Sequence, residues 1–128
     1  MKNTLKNISF LIMLLLSQMI LIQSKMNPVK EVKEYFCRGN EPFWMVEISA
    51  GGIIFRTPEE EVVYPYSNPN KNSNAIIFET RNRNSGDKTS VLKVKILPDS
   101  CTDSMSEEAF PYTAEAERDG IFYEGCAR

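Results

Sequence analysis

Read as apolar and polar positions, the chain opens with one long apolar stretch and then changes to short runs cut by turn residues. The stretch ISFLIMLLLSQMILI, Ile8 to Ile22, follows Lys2 and Lys6 and is interrupted only around Ser17-Gln18. A basic flank before an apolar core is the outline of a secretory signal. The run falls short of the ~20 apolar residues that a spanning helix requires, so no stable transmembrane anchor is expected. The predicted signal covers residues 1–24. Cleavage after Ser24 puts a small residue at the last position but Ile22 two before it, and the exact site stays open.

Residues 25–33, KMNPVKEVK, are polar around one proline and read as a flexible tether. From residue 34 onward no helical period persists for more than about ten residues. Eight short runs instead predict strands: 34–37, 43–49, 53–57, 62–66, 75–81, 89–97, 112–117 and 121–125. In the sixth, Leu92, Val94 and Ile96 alternate with Val91, Lys93 and Lys95, the pattern of a strand with one buried face. Gly51-Gly52, the RNSGDK segment and Arg118-Asp119-Gly120 read as hairpin turns. Pro65 cannot donate to a ladder and marks an edge or a break. Asp103 to Ala109 can form one helical turn, capped by Ser104 or Asp103 with Glu107 reaching back. The expected architecture over residues 34–128 is a single all-β domain, a small antiparallel β-barrel or sandwich of about eight short strands.

Charge narrows the partners. With Lys2 and Lys6 removed, 13 of the 15 basic residues face 17 acidic ones, and neither sign is gathered into a block. A nucleic-acid partner, which rewards clustered Lys and Arg, is not expected. The chain has no histidine, which removes the commonest general base, metal ligand and triad member. Asp99, Asp103, Glu107 and Glu108 come near one another in sequence but form no recognisable calcium loop, so neither metal nor cofactor is expected.

The chemistry-bearing stretch is Asn40-Glu41-Pro42-Phe43-Trp44. In one reading Asn40, Glu41 and Trp44 border a groove, the ring supplying contact area and the carboxylate a partner for a ligand cation or hydroxyl. In the other, Asn40 and Glu41 bond a turn, Pro42 sets φ, and Phe43 and Trp44 point to opposite faces of the next strand, so at most one lines the interior. Asp103, Met105 and Ser106 carry the same pair of readings: ligand contact, or a loop closed by side-chain hydrogen bonds.

Cys37, Cys101 and Cys126 all follow the signal, and export brings them where disulfides persist. One bridge and one odd thiol result. Cys101–Cys126 is preferred, because the Arg118-Asp119-Gly120 hairpin returns Cys126 opposite Thr113, near the loop that Cys101 opens. Cys37–Cys126 is the rival, joining the first and last strands of a closed barrel. With no histidine to activate it, the odd thiol reads as a small buried apolar group.

The string Phe36 to Trp44, FCRGNEPFW, with Cys101-Thr102-Asp103-Ser104-Met105-Ser106, Phe110-Pro111-Tyr112 and Gly125-Cys126, resembles a family of bacterial envelope proteins of unknown function, often described as lipoproteins or membrane-like. The motif order runs through nearly the whole chain after the signal. The resemblance implies company with META-type and lysozyme-inhibitor-like domains, and no catalytic role. This chain departs from it in lacking a cysteine just after the apolar run, the usual acceptor of a lipid. The expectation is an exported, non-enzymatic binding or structural module of the periplasm or cell exterior, with an unknown envelope ligand or protein as partner. A lysozyme-inhibitor-like protein is the alternative. An enzyme built on Glu41 and Asp103 is the third reading; it needs the two carboxyls close together, with one pKa raised.

Overall fold

The structure, a computed structural model, describes residues 2–22, 31–83 and 88–128. The chain divides into two compact units, Met1–Glu31 and Val32–Arg128. The first holds α1 (Lys2–Ile22), on which Leu5, Ile8, Phe10, Leu11 and Met13 are exposed. No helix among the described residues is long and apolar enough to cross a membrane. The expected cleavage point, most of the tether and the centre of the RNSGDK turn lie outside the described residues.

The second unit is all-β. Its strands are β1 (Tyr35–Asn40), β2 (Phe43–Ser49), β3 (Gly52–Arg56), β4 (Glu61–Tyr64), β5 (Asn70–Lys71), β6 (Ile76–Arg83), β7 (Thr89–Leu97), β8 (Cys101–Thr102), β9 (Ala109–Phe110), β10 (Tyr112–Arg118) and β11 (Ile121–Ala127). Nine form one antiparallel sheet in the order β4-β3-β2-β1-β11-β10-β7-β6-β5, and β8 pairs with β9 apart from it. Alternation along each strand sends one parity inward. Tyr35 and Cys37 of β1, Trp44, Val46 and Ile48 of β2, Ile53 and Phe55 of β3, and Leu92, Val94 and Ile96 of β7 meet in a single core. The sheet therefore curls around its own apolar face.

Its two edges, β4 and β5, are consecutive in the chain. Pro65 and Pro69 lie between them and bring no N–H to a ladder, so side chains bridge the seam instead. Thr80 Oγ1 donates to the Pro65 carbonyl at 2.6 Å, and Asn82 Nδ2 to the Val63 carbonyl at 2.7 Å. Behind the seam runs a partly buried polar relay. Arg118 Nε donates to the Tyr64 hydroxyl at 2.9 Å, and Ser90 Oγ donates to Asp119 Oδ2 at 2.6 Å. Because the Ser90 proton is committed to Asp119, the 2.6 Å contact between Tyr64 and Ser90 has Tyr64 as donor. The result is a curled, incompletely closed barrel.

Several sequence expectations are adjusted. The first hairpin turns at Ala50-Gly51, since Ser49 pairs with Gly52. Gly52 carries the positive φ, +142°, and a Cβ there would lie 2.8 Å from the Tyr64 carbonyl. The strands exceed eight because the loop after Pro69 pairs briefly with β6 and the Cys101 loop pairs with itself. The Asp103 stretch makes an isolated turn, not a helix. Asp119-Gly120 is the predicted turn, with φ of +50° and +83°, both required by a two-residue hairpin of this kind.

Candidate functional site

The site is built where β1 crosses β11. Arg38 pairs with Cys126 across these strands, and two glycines let the backbones meet. A Cβ on Gly125 would fall 1.9 Å from the Arg38 carbonyl, and one on Gly39 would fall 2.2 Å from Trp44 Nε1. The indole passes over Gly39 to donate to the Glu124 carbonyl at 3.0 Å. Past this crossing, the β1–β2 hairpin continues through Asn40, Glu41 and Pro42, with a cis peptide between the last two.

The second wall is the segment from Cys101 to Phe110, held down in three ways. Cys101 is disulfide-bonded to Cys126, the preferred one of the two pairings, and Thr113 faces Cys126 as the hairpin argument required. Asp103 is the second tie. Its Oδ1 accepts from Asn40 Nδ2 at 2.9 Å, the Met105 amide at 2.8 Å and the Ser106 amide at 3.1 Å, while Oδ2 pairs with Arg38 Nη2 at 2.7 Å. Third, Glu108 pairs with Arg128 at 2.8 Å and with Arg38 at 3.4 Å. Arg38 also donates to Ser106 Oγ at 3.0 Å and stacks on the Phe110 ring.

Asp103 is only 4 % exposed. Its carboxyl is held down at about pKa 2, chiefly by the Met105 amide; burial opposes this, and the Ser106 amide, Asn40 and Arg38 add to it. Hydrogen bonds to the ionised form favour ionisation, so Asp103 is an anion throughout the ordinary pH range.

Between the two walls lies a cleft of about 250 Å³ lined by Arg38 to Glu41, Cys101 to Ser104 and Glu124 to Cys126. Of the residues singled out in the sequence, Asn40, Glu41 and Asp103 line it. Ser106 does not; it receives Arg38 behind Asp103. Trp44 is 0 % exposed, while its neighbour Phe43 is 42 % exposed, so the two rings do point to opposite faces and Trp44 is a core residue rather than a surface contact. Its indole Nε1 donates to the Glu124 carbonyl. Cys37 is a buried free thiol, and burial pushes its pKa up to about 12.

Sequence reasoning missed Arg38, Thr102 and Glu124. Strand parity could have placed Arg38 on the outer face, because Cys37 before it is inward, but its partner lies 65 positions away and no local pattern announces it. Of the charged side chains that line the cleft, Arg38 keeps a buried Nε–H without a partner, and two carboxylates are free. The side-chain carboxylates of Glu41 and Glu124 have no hydrogen bond or ion pair among the described residues, whereas that of Asp103 is fully engaged. Among the described residues, no group of three or more potential metal ligands is assembled. No protein-family model, curated protein or solved structure matches the chain.

Proposed function

We propose that the protein is an exported, non-enzymatic binding module of the cell envelope that recognises its ligand in the cleft between the β1–β2 hairpin and the Cys101–Phe110 segment. The observation that carries this reading is the convergence of two motif segments, more than sixty residues apart in sequence, on one concave surface. Concavity with a few directed polar groups is what a ligand site requires. The Glu41 and Glu124 carboxylates only accept, and the Thr102 and Ser104 hydroxyls adapt to either role, so the group complementary to the carboxylates is a cation or a hydroxyl donor.

Export is supported by the basic-then-apolar N-terminal segment and by the Cys101–Cys126 disulfide, which is at home in an oxidising compartment. Against an enzymatic reading, Asp103 has its pKa lowered to about 2, opposite to the raised value that a shared-proton carboxyl pair needs. All of its bonding capacity goes to holding the loop.

The test is an NMR titration of the 15N-labelled protein with methylamine, glucosamine, N-acetylglucosamine and chitopentaose. Amide shifts confined to residues 38–41, 101–106 and 124–126 are expected for at least one of them. Shifts scattered over the barrel, with none at the cleft, would remove the reading.

A further inference from the structure

Phe43 and Met105, on the two segments whose residues line the cleft, are large apolar side chains left in solvent, 42 % and 75 % exposed. They belong to different segments, yet one atom ties both. Phe43 pairs across its hairpin with Asn40, Asn40 donates to Asp103 Oδ1, and the same oxygen accepts the Met105 amide. Apolar groups on a segment already fixed in place lose little conformational freedom when covered, which favours binding. Methionine also adapts its shape to whatever packs on it.

The charges around the pair identify what covers it. The charges of Arg38 and Arg128 are ion-paired with Asp103 and Glu108, although the Arg38 Nε–H is buried without a partner. Glu41, Glu107 and Glu124 have no basic partner among the described residues. Exposed apolar surface rimmed by unneutralised carboxylates is complementary to an apolar side chain flanked by Lys or Arg, and charge complementarity of this kind selects partners and speeds encounter.

We propose that this end of the barrel docks a basic polypeptide segment: a Lys or Arg side chain enters the cleft beside Glu41 and Glu124, and a neighbouring apolar side chain covers Phe43 and Met105. The proposal rests on the reading of the cleft as a binding site and names the class of its ligand.

The experiment is a titration of the full 15N-labelled chain with Ac-Lys-Leu-Lys-Leu-NH2, with Ac-Glu-Leu-Glu-Leu-NH2 and with chitopentaose. The basic peptide is expected to shift the amides of Glu41, Met105, Ser106 and Glu124 and the methyl signal of Met105. Raising salt from 20 to 300 mM should weaken it by about fivefold or more. The double change Glu41→Gln and Glu124→Gln, at exposed positions, should weaken it by about tenfold, and Met105→Ser by about threefold, with circular dichroism unchanged. Equal binding of the acidic peptide would overturn the proposal. Cleft shifts with chitopentaose but not with the basic peptide would overturn it while leaving the binding-cleft reading in place. An absence of cleft shifts with every probe would remove both.

Discussion

Trp44 and Glu124 are joined by a 3.0 Å hydrogen bond from the indole Nε1 to the main-chain carbonyl, and the bond crosses a space that exists only because residue 39 is glycine. A Cβ at Gly39 would stand 2.2 Å from the indole nitrogen and 2.4 Å from the Glu124 carbonyl. Both neighbours are fixed, one as the largest buried side chain of the core and the other as strand backbone. Gly39→Ala is therefore expected to cost about 3 kcal/mol by overpacking. Urea denaturation followed by Trp44 fluorescence measures this directly, since the chain has one tryptophan; wild-type stability would show that the strands separate more easily than the geometry states.

Removing the Asp103 carboxylate should loosen one segment without unfolding the barrel. Asp103→Ala takes away the acceptor shared by the Met105 and Ser106 amides and the partner of Arg38. Hydrogen exchange at Met105 and Ser106 is expected to speed up by about tenfold or more, with protection in β7 and β10 kept, as local opening allows. Uniform acceleration across the sheet would mean that Asp103 supports the global fold instead.

The same carboxylate sets a pH dependence with a definite sign. Its folded pKa, about 2, lies below the ordinary carboxyl value of about 4. The unfolded chain takes up its proton first as pH falls, so the stabilisation is complete above about pH 4 to 5 and disappears as pH drops toward 2. The drop in stability between pH 5 and 2 should be smaller in Asp103→Asn than in the wild type. An identical drop would assign acid sensitivity to other carboxyls.

Reduction separates the two kinds of cysteine. Breaking Cys101–Cys126, which closes a loop of sequence separation 25, should lower stability by ~3 kcal/mol. Cys37 should resist iodoacetamide in the native state, because it is buried and burial holds its thiol protonated, with a pKa near 12, and the thiolate is the reactive form. Mass spectrometry after native and denaturing alkylation counts the modified sulfurs; rapid labelling of Cys37 without unfolding would contradict its placement.

At the seam, Tyr64→Phe removes the hydroxyl that joins Arg118 to Ser90. It leaves one donor, Arg118 Nε–H, and one acceptor, Ser90 Oγ, short of a partner, and a loss of about 1 to 3 kcal/mol is expected. Chemical denaturation measures it, and an unchanged midpoint would show that the relay contributes nothing to closing the barrel.

Period-two alternation was enough to predict the all-β class and the parity of β7, where Leu92, Val94 and Ile96 are buried. Local turn chemistry likewise located the Asp119-Gly120 hairpin, and through it the neighbourhood of Cys126. These features are written in adjacent residues, because strand parity and turn φ values are short-range properties. The seam, the cleft and the roles within it are not. The pairing of Arg38 with Asp103, the passage of Trp44 over Gly39 to Glu124, and the union of Asn40 with the Met105 loop all join residues more than sixty positions apart. Only the curl of the sheet brings them together, and that same curl decided that Trp44 serves the core while Glu41 faces the cleft.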